Sequence, residues 1–181
     1  MGYKQQHAFR IRRANSRDAH KLSDIGTLTF TQTFGALYST KNLTTFLKQK
    51  HTPKYFQTLL NDPNCAAWLV ENDGLRVTGY AVAGPTILPI PNVPVQSGEL
   101  IHIYIRSGAQ RMGLGAQLIE VVLSWMHANF EHLYVGVFSE NFGAQRFYQR
   151  YGFQKIHEYT YMVGDHADAE WIMKQVPTGK R

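Results

Sequence analysis

Cysteine, long apolar runs and acidic residues are all scarce in this chain. Cys65 is the single cysteine among 181 residues, so no internal disulfide forms and a reducing compartment suits it. No apolar stretch approaches the roughly 20 residues that a membrane helix needs. The opening MGYKQQHAFRIRR has no apolar core of signal-peptide length. Together these absences argue against membrane insertion and secretion, and for a soluble, cytoplasmic protein. Metal patterns are missing as well. The eight histidines include no His-Glu-x-x-His pattern, a lone thiol builds no cluster, and His127 and His132 merely straddle a helix–strand boundary. No metal is expected.

The shortage of acids has its own consequence. Thirteen acidic residues against nineteen lysines and arginines leave a net charge of +6, which favours a polyanion: nucleic acid, an anionic membrane or a phosphate-rich cofactor. The basic residues are spread along the chain, with Arg10-Ile11-Arg12-Arg13 the tightest cluster, so a dedicated nucleic-acid arm is not indicated. What is abundant is core material. Hydrophobic residues make up 44% and aromatics 13%, ample for one folded domain spanning 1–181 with its core at about 9–175.

The pattern along the chain predicts strands and helices in mixed order. AFRIRRA (8–14) alternates as a half-exposed strand. A helix follows, capped by Asn15 or Ser16. Two shorter helices are expected at 41–50 and 53–61, the second opening on Pro53. CAAWLVEN and LRVTGYAVAG read as a hairpin turning at Asn72-Asp73-Gly74. PTILPIPNVPVQSG carries four prolines and reads as an irregular loop. A strand at 100–105, a helix at 113–129, a strand at 132–138, a helix at 141–151 and strands near 153–163 and 169–175 complete an α+β or mixed α/β domain.

Two segments carry chemistry. The helix at 113–129 places Leu114, Leu118, Val121, Val122 and Trp125 along one stripe, and begins Met112-Gly113-Leu114-Gly115-Ala116. Its first amides have no partner inside the helix and lie at a positive dipole end. Glycines let a phosphate approach, and Arg106 and Arg111 add charge beside it. A dinucleotide fingerprint would need a further glycine near Leu118, and a nucleotide-hydrolase loop would need Gly-Lys-Ser/Thr; neither is present. The second segment, NFGAQRFYQRYGF (141–153), reads as a helix capped by Asn141 and closed by Gly152, with Ala144, Phe147, Tyr148 and Tyr151 on one face.

With these two motifs in this order, the chain resembles the GCN5-related N-acetyltransferase (GNAT) superfamily. Gln110-x-x-Gly113-x-Gly115 is similar to its acetyl-coenzyme A motif, and Asn141 to Phe153 to the motif that follows. The final YTYMVGDHADAEWIMKQ is similar to the tail of PaiA-type polyamine acetyltransferases. The resemblance implies a central mixed, mostly antiparallel twisted sheet of about seven strands, with helices on both faces and strands 4 and 5 splayed apart. It implies that Ile103, Tyr104 and Ile105 offer backbone to the pantetheine arm, that Gln110, Arg111, Met112, Gly113, Leu114, Gly115 and Ala116 hold the pyrophosphate, and that Asn141 and Tyr148 reach the cofactor. Acetyl-coenzyme A and a small amine are then the expected partners, with a homodimer left open and neither membrane nor nucleic acid required.

Acetyl transfer to an amine needs a base, because an alkylamine of pKa near 10.4 is about one part in a thousand or less neutral at pH 7. Glu99, entering the fourth strand, and His102 are the candidates. Strict alternation puts Glu99, Ile101, Ile103 and Ile105 on one face and Leu100, His102 and Tyr104 on the other, so only one of the two bases should see the thioester. Tyr148 is, by resemblance, the acid for the departing thiolate. A thiol near pKa 8.5 and a phenol near 10 make full proton transfer uphill by roughly 2 kcal/mol, so Tyr148 either has a lowered pKa or acts as a hydrogen-bond donor. Glu71, Asp73, Asp165, Asp168 and Glu170 are the acids that could recognise a polyamine. TLTFTQTFGALY is core or lines a pocket for a small apolar or peptide amine. Alternatives are acetylation of a peptide N-terminus or lysine, a non-catalytic acetyl-coenzyme A module, or a basic nucleic-acid binder whose affinity falls steeply with salt.

Overall fold

A computed structural model describes residues 8–176. Strand β1 (Phe9–Arg13) leads into a single 3-10 turn (Ser16–Asp18). The side chain of Asn15 accepts the Arg17 amide, and Asp18 returns a carboxylate to the Asn15 amide. This reciprocal cap starts helix α1 (Ala19–Phe34). Helices α2 (Thr40–Lys50) and α3 (Pro53–Asn61) are capped by the hydroxyls of Ser39 and Thr52. Strands β2 (Ala66–Asn72) and β3 (Val77–Pro85) form the expected hairpin. Its loop is longer than an Asn-Gly turn, because the Asn72 side chain accepts the Arg76 amide and holds residues 73–76 outside the ladder.

The irregular proline-rich stretch precedes β4 (Ser97–Ile105). Helix α4 (Leu114–Asn129), β5 (His132–Phe138), α5 (Phe142–Arg150), β6 (Phe153–Val163) and β7 (His166–Gln175) follow. The strands make one seven-stranded sheet in the order β1-β2-β3-β4-β5-β7-β6. Every neighbouring pair is antiparallel except β4 and β5, which run parallel.

Two apolar layers sandwich this sheet. On one face Leu114, Leu118, Val122 and Met126 of α4, with Tyr148 of α5, bury Trp68, Val70, Ala81, Ala83 and Leu100. On the other face Leu22 and Ile25 of α1 and Phe56 of α3 bury Leu69, Tyr80 and Val82. Phe30 and Phe46 extend this second layer onto Val163 of β6. Alternation along β2 and β3 deals consecutive residues to opposite layers. At roughly 25 cal/mol per Å² of apolar surface, each fully buried leucine or phenylalanine contributes about 2 kcal/mol to holding the layers together.

Candidate active site

The parallel pairing of β4 with β5 runs only from Ser97–His132 to Leu100–Val135. Beyond it, β4 continues to Ile105 against β3, and β5 continues to Phe138 against β7. The facing edges of the two strands therefore part, leaving backbone groups of residues 101–105 outside the β4–β5 ladder. A cavity of about 690 Å³ occupies the fork. It opens to both faces of the sheet, because its lining includes Tyr148 and Ala144 of α5 as well as Phe30, His51 and Tyr55 from the α1–α3 side.

On the α4–α5 face the two sequence motifs come together. Asn141 caps α5 by accepting the Ala144 amide, and Gly152 follows the helix at φ 84°. Ile103, Tyr104, Ile105, Gln110, Asn141 and Tyr148 all line the cavity. The Gln110 amide donates to the Ile105 carbonyl at 2.9 Å, so this side chain ties the turn to the end of β4. Arg111 and Gly113 adopt φ 63° and 77°. A curl of that kind turns successive amides toward one side. Gly113 occupies the N-cap of α4 and no side chain caps the helix. Arg111 to Ala116 lie outside the cavity lining, at the helix start; Leu114 points into the core and offers only its backbone.

The opposite face corrects the expected division of the two bases. Val82 pairs with His102 but Ala83 pairs with Leu100, so Ile101 is an extra residue in β4. This bulge reverses the alternation below it. Leu100 joins Ile103 and Ile105 on the α4 layer, whereas Ile101 joins Tyr104 on the α1 layer. Glu99 pairs with Gly84, two residues on from Val82, so Glu99 and His102 share one face. Both line the cavity.

Their surroundings differ. Burial raises the Glu99 carboxyl above its ordinary value, opposed by hydrogen bonds from the Ile87 amide and the Thr86 hydroxyl to Oε2. His102 lies 3.2 Å from the Tyr55 hydroxyl within a ring of His51, Phe56, Tyr80 and Tyr104. Burial, reinforced by His51 and Lys50, pushes the His102 imidazole down to about 3. His51 itself is 2% exposed, has no partner for either ring nitrogen among the described residues, and is pushed down to about 4 by burial.

Several residues of this face were not singled out in the sequence. Tyr159 and Tyr161 of β6 line the cavity, and the Tyr159 hydroxyl donates to Glu170 Oε2 at 2.6 Å. Burial raises the Glu170 carboxyl to about 7. Of the other acids considered, Asp168 accepts from Tyr38 and faces His166. Asp165 pairs with Lys41 on the surface, Asp73 accepts the Ala8 amide, and Glu71 pairs with Arg12 and Lys21. Phe30, Thr33, Phe34 and Tyr38 from TLTFTQTFGALY line the cavity, so this segment serves both core and pocket. The period-two spacing of Tyr159 and Tyr161 marked a shared face; only the pairing of β6 with β7 shows where that face looks.

Residues 31–153 match the acetyltransferase (GNAT) family. The chain belongs to that family. An uncharacterised N-acetyltransferase in the pepI 3′ region of Lactobacillus delbrueckii subsp. lactis is 25% identical over 170 residues, spanning 92% of this chain and 96% of that one. Among solved structures, the PaiA N-acetyltransferase of Thermoplasma acidophilum in complex with coenzyme A aligns with a TM-score of 0.73 at 14% identity, covering 93% and 98% of the two chains. The ribosomal-protein-S18-alanine N-acetyltransferase of Escherichia coli aligns with a TM-score of 0.67 at 16% identity, covering 92% of each. At these identities the solved structures attest the fold.

As a GNAT acetyltransferase, the protein takes its acetyl group from acetyl-coenzyme A. The residues present fit that donor. The uncapped start of α4 suits a diphosphate, and the unladdered edge of β4 offers hydrogen bonds to an amide-bearing arm. Among the described residues no group of three His, Cys, Asp or Glu side chains is placed to hold a metal.

Proposed function

We propose that this N-acetyltransferase acetylates the primary amine of a small molecule, directly from acetyl-coenzyme A in a ternary complex in the cytoplasm. The observation that carries the reading is the fork between β4 and β5, which joins a Tyr148-lined face to an acidic, aromatic face through one cavity. Two carboxylates, Glu99 and Glu170, and one cation, Lys50, line it, a balance that favours an ammonium group. The aromatic walls of Phe30, Tyr55, Tyr159 and Tyr161 suit a cation with an alkyl body.

Three contacts favour a small acceptor over an extended peptide. Tyr38 donates to Asp168, Lys41 pairs with Asp165, and the Asp165 amide donates to Asn42. They tie the α1–α2 corner to the tip of the β6–β7 hairpin, beside Tyr38 of the cavity wall. A peptide backbone threading this face would have to part them.

In this mechanism, backbone amides of residues 103–105 polarise the thioester carbonyl. Tyr148 donates to the sulfur as charge develops there. Burial, helped by the charge of Glu170, raises the Tyr148 phenol, so it is held as a hydrogen-bond donor rather than as a ready acid. His102 is a poor base for an alkylammonium. A histidine near 3 facing an amine near 10.4 makes the transfer uphill by roughly 10 kcal/mol. Glu99 supplies negative charge to the ammonium at the closed end of the fork.

A panel of spermidine, amino-acid amines, aminoglycosides and peptide N-termini, scored by free-thiol release, tests the reading. Small amines should release thiol and peptides should not; the reverse would move the assignment to protein acetylation. Gly113→Glu should abolish acetyl-coenzyme A binding in calorimetry, because it adds negative charge and a strained left-handed backbone at the phosphate site. Unchanged affinity would remove that site from the mechanism.

A further inference from the structure

Resting on the acetyl-transfer reading above, we propose that Glu170, held by Tyr159 over Gly136, takes the proton from the acceptor ammonium. The placement begins with register. Leu100–Val135 is the last pair of the parallel ladder, so Gly136 is the first residue of β5 beyond the fork. A Cβ built on Gly136 would lie 3.4 Å from Glu170 Oε2 and 3.3 Å from the Tyr159 hydroxyl. The absent side chain is thus the space into which the Tyr159–Glu170 pair leans. Glu170 Oε2 is taken by Tyr159, and among the described residues no donor reaches Oε1. That oxygen is free to accept a proton in the cavity, where Glu170 is a lining residue.

Glu99 is placed differently. It pairs with Tyr134 inside the closed ladder, and both the Ile87 amide and the Thr86 hydroxyl hold its Oε2. Glu170 is also the carboxylate whose charge bears on the Tyr148 phenol. Proton acceptor and sulfur donor therefore address one place from opposite faces of the sheet.

The step balances as follows. A lone pair of Glu170 takes one proton from the R–NH3⁺ group, and the freed nitrogen pair forms the C–N bond at the thioester carbon. The C–S bond breaks with its electrons on sulfur. A second nitrogen proton leaves to solvent as the amide forms, the thiolate that Tyr148 hydrogen-bonds takes a proton from solvent, and Glu170 returns its own proton to solvent between turnovers.

The groups facing Glu170 are Glu99 and Tyr104 of β4, Tyr159 and Tyr161 of β6, Tyr148 of α5, Tyr38 of the α1–α2 loop and Asp168 of its own strand. The two neighbouring carboxylates and burial raise it, while the Tyr159 hydrogen bond lowers it. The wild-type kcat/KM should therefore rise with pH through an acidic limb near 7. Glu170→Gln should lower kcat by about a hundredfold or more, erase that limb, leave acetyl-coenzyme A affinity intact, and leave the melting temperature no lower than the wild type's. Tyr159→Phe should keep the limb but move it to higher pH.

A second readout does not need turnover. With coenzyme A bound, spermidine titrated calorimetrically in two buffers of different ionisation enthalpy should show proton uptake or release in the wild type that Glu170→Gln lacks. Retained rate, a lost rate with the limb unmoved, or identical proton linkage in both proteins overturns the assignment while the acetyl-transfer reading stands. A folded wild type that neither binds nor acetylates any amine overturns both.

Discussion

The β1 edge of the sheet and the fork at its middle treat buried charge in opposite ways. At the β1–β2 edge, Arg12 makes paired hydrogen bonds at 2.8 Å to both oxygens of Asp18 and reaches both oxygens of Glu71 at 2.8 and 2.9 Å; Lys21 adds a third contact. The guanidinium holds both carboxyls below their ordinary values. At the β4–β5 fork, Glu99 and Glu170 meet only amide and hydroxyl donors among the described residues, and burial raises both. His51 and His102 lie in the same region and are pushed down. A structural network settles its charges, whereas a site leaves them unsettled until a charged ligand arrives.

Substitutions can break that contrast. Arg12→Met leaves Asp18 buried without its cation and Glu71 with Lys21 alone, and should cost about 3 kcal/mol of stability in a urea titration, with kcat barely altered; a large rate effect would merge the two regions. The wild-type network should also weaken in acid. Its carboxyls sit below their unfolded values, so their contribution is complete above about pH 5 and is lost as pH falls through the lower folded values.

At the fork the sign of the damage changes. Tyr148→Phe should lower kcat roughly 10- to 100-fold with acetyl-coenzyme A affinity unmoved. Glu99→Gln should slow turnover yet raise the melting temperature by about 1–2 °C at pH 8 and by less at pH 5. The folded carboxyl is raised, so its ionisation destabilises the protein only as pH climbs past the unfolded value.

The smallest effect concerns His51. Its folded value of about 4 lies below the unfolded one of about 6.5, so the unfolded chain binds more protons between them. Stability should fall as pH drops through that window, and thermal melts of His51→Leu should show a shallower fall.

The donor-side motifs and many element bounds were readable along the chain. The cap at Asn141, the start of α4, the helix at 53–61 and the strand at 153–163 are local features set by nearby residues, and they stand where the pattern put them. The acceptor side was not. Its residues come from α1, α2, α3, β4, β6 and β7, and one bulge at Ile101 puts Glu99 and His102 on a face that alternation had divided. A bulge leaves no mark in hydrophobic periodicity, because Leu100, Ile101 and Ile103 are all apolar and all find a layer to bury in.

From its residues alone, this chain determined which segments are helix or strand, where a helix begins on uncapped amides, and which family pattern it carries. Those properties depend on neighbours a few positions apart, within reach of local backbone chemistry. Only the tertiary structure decided which carboxylates have partners and which stand open to a ligand. Arg12 and Glu71 lie 59 residues apart and Tyr159 and Glu170 lie on different strands; burial and register, neither of them local, set the charge each one holds.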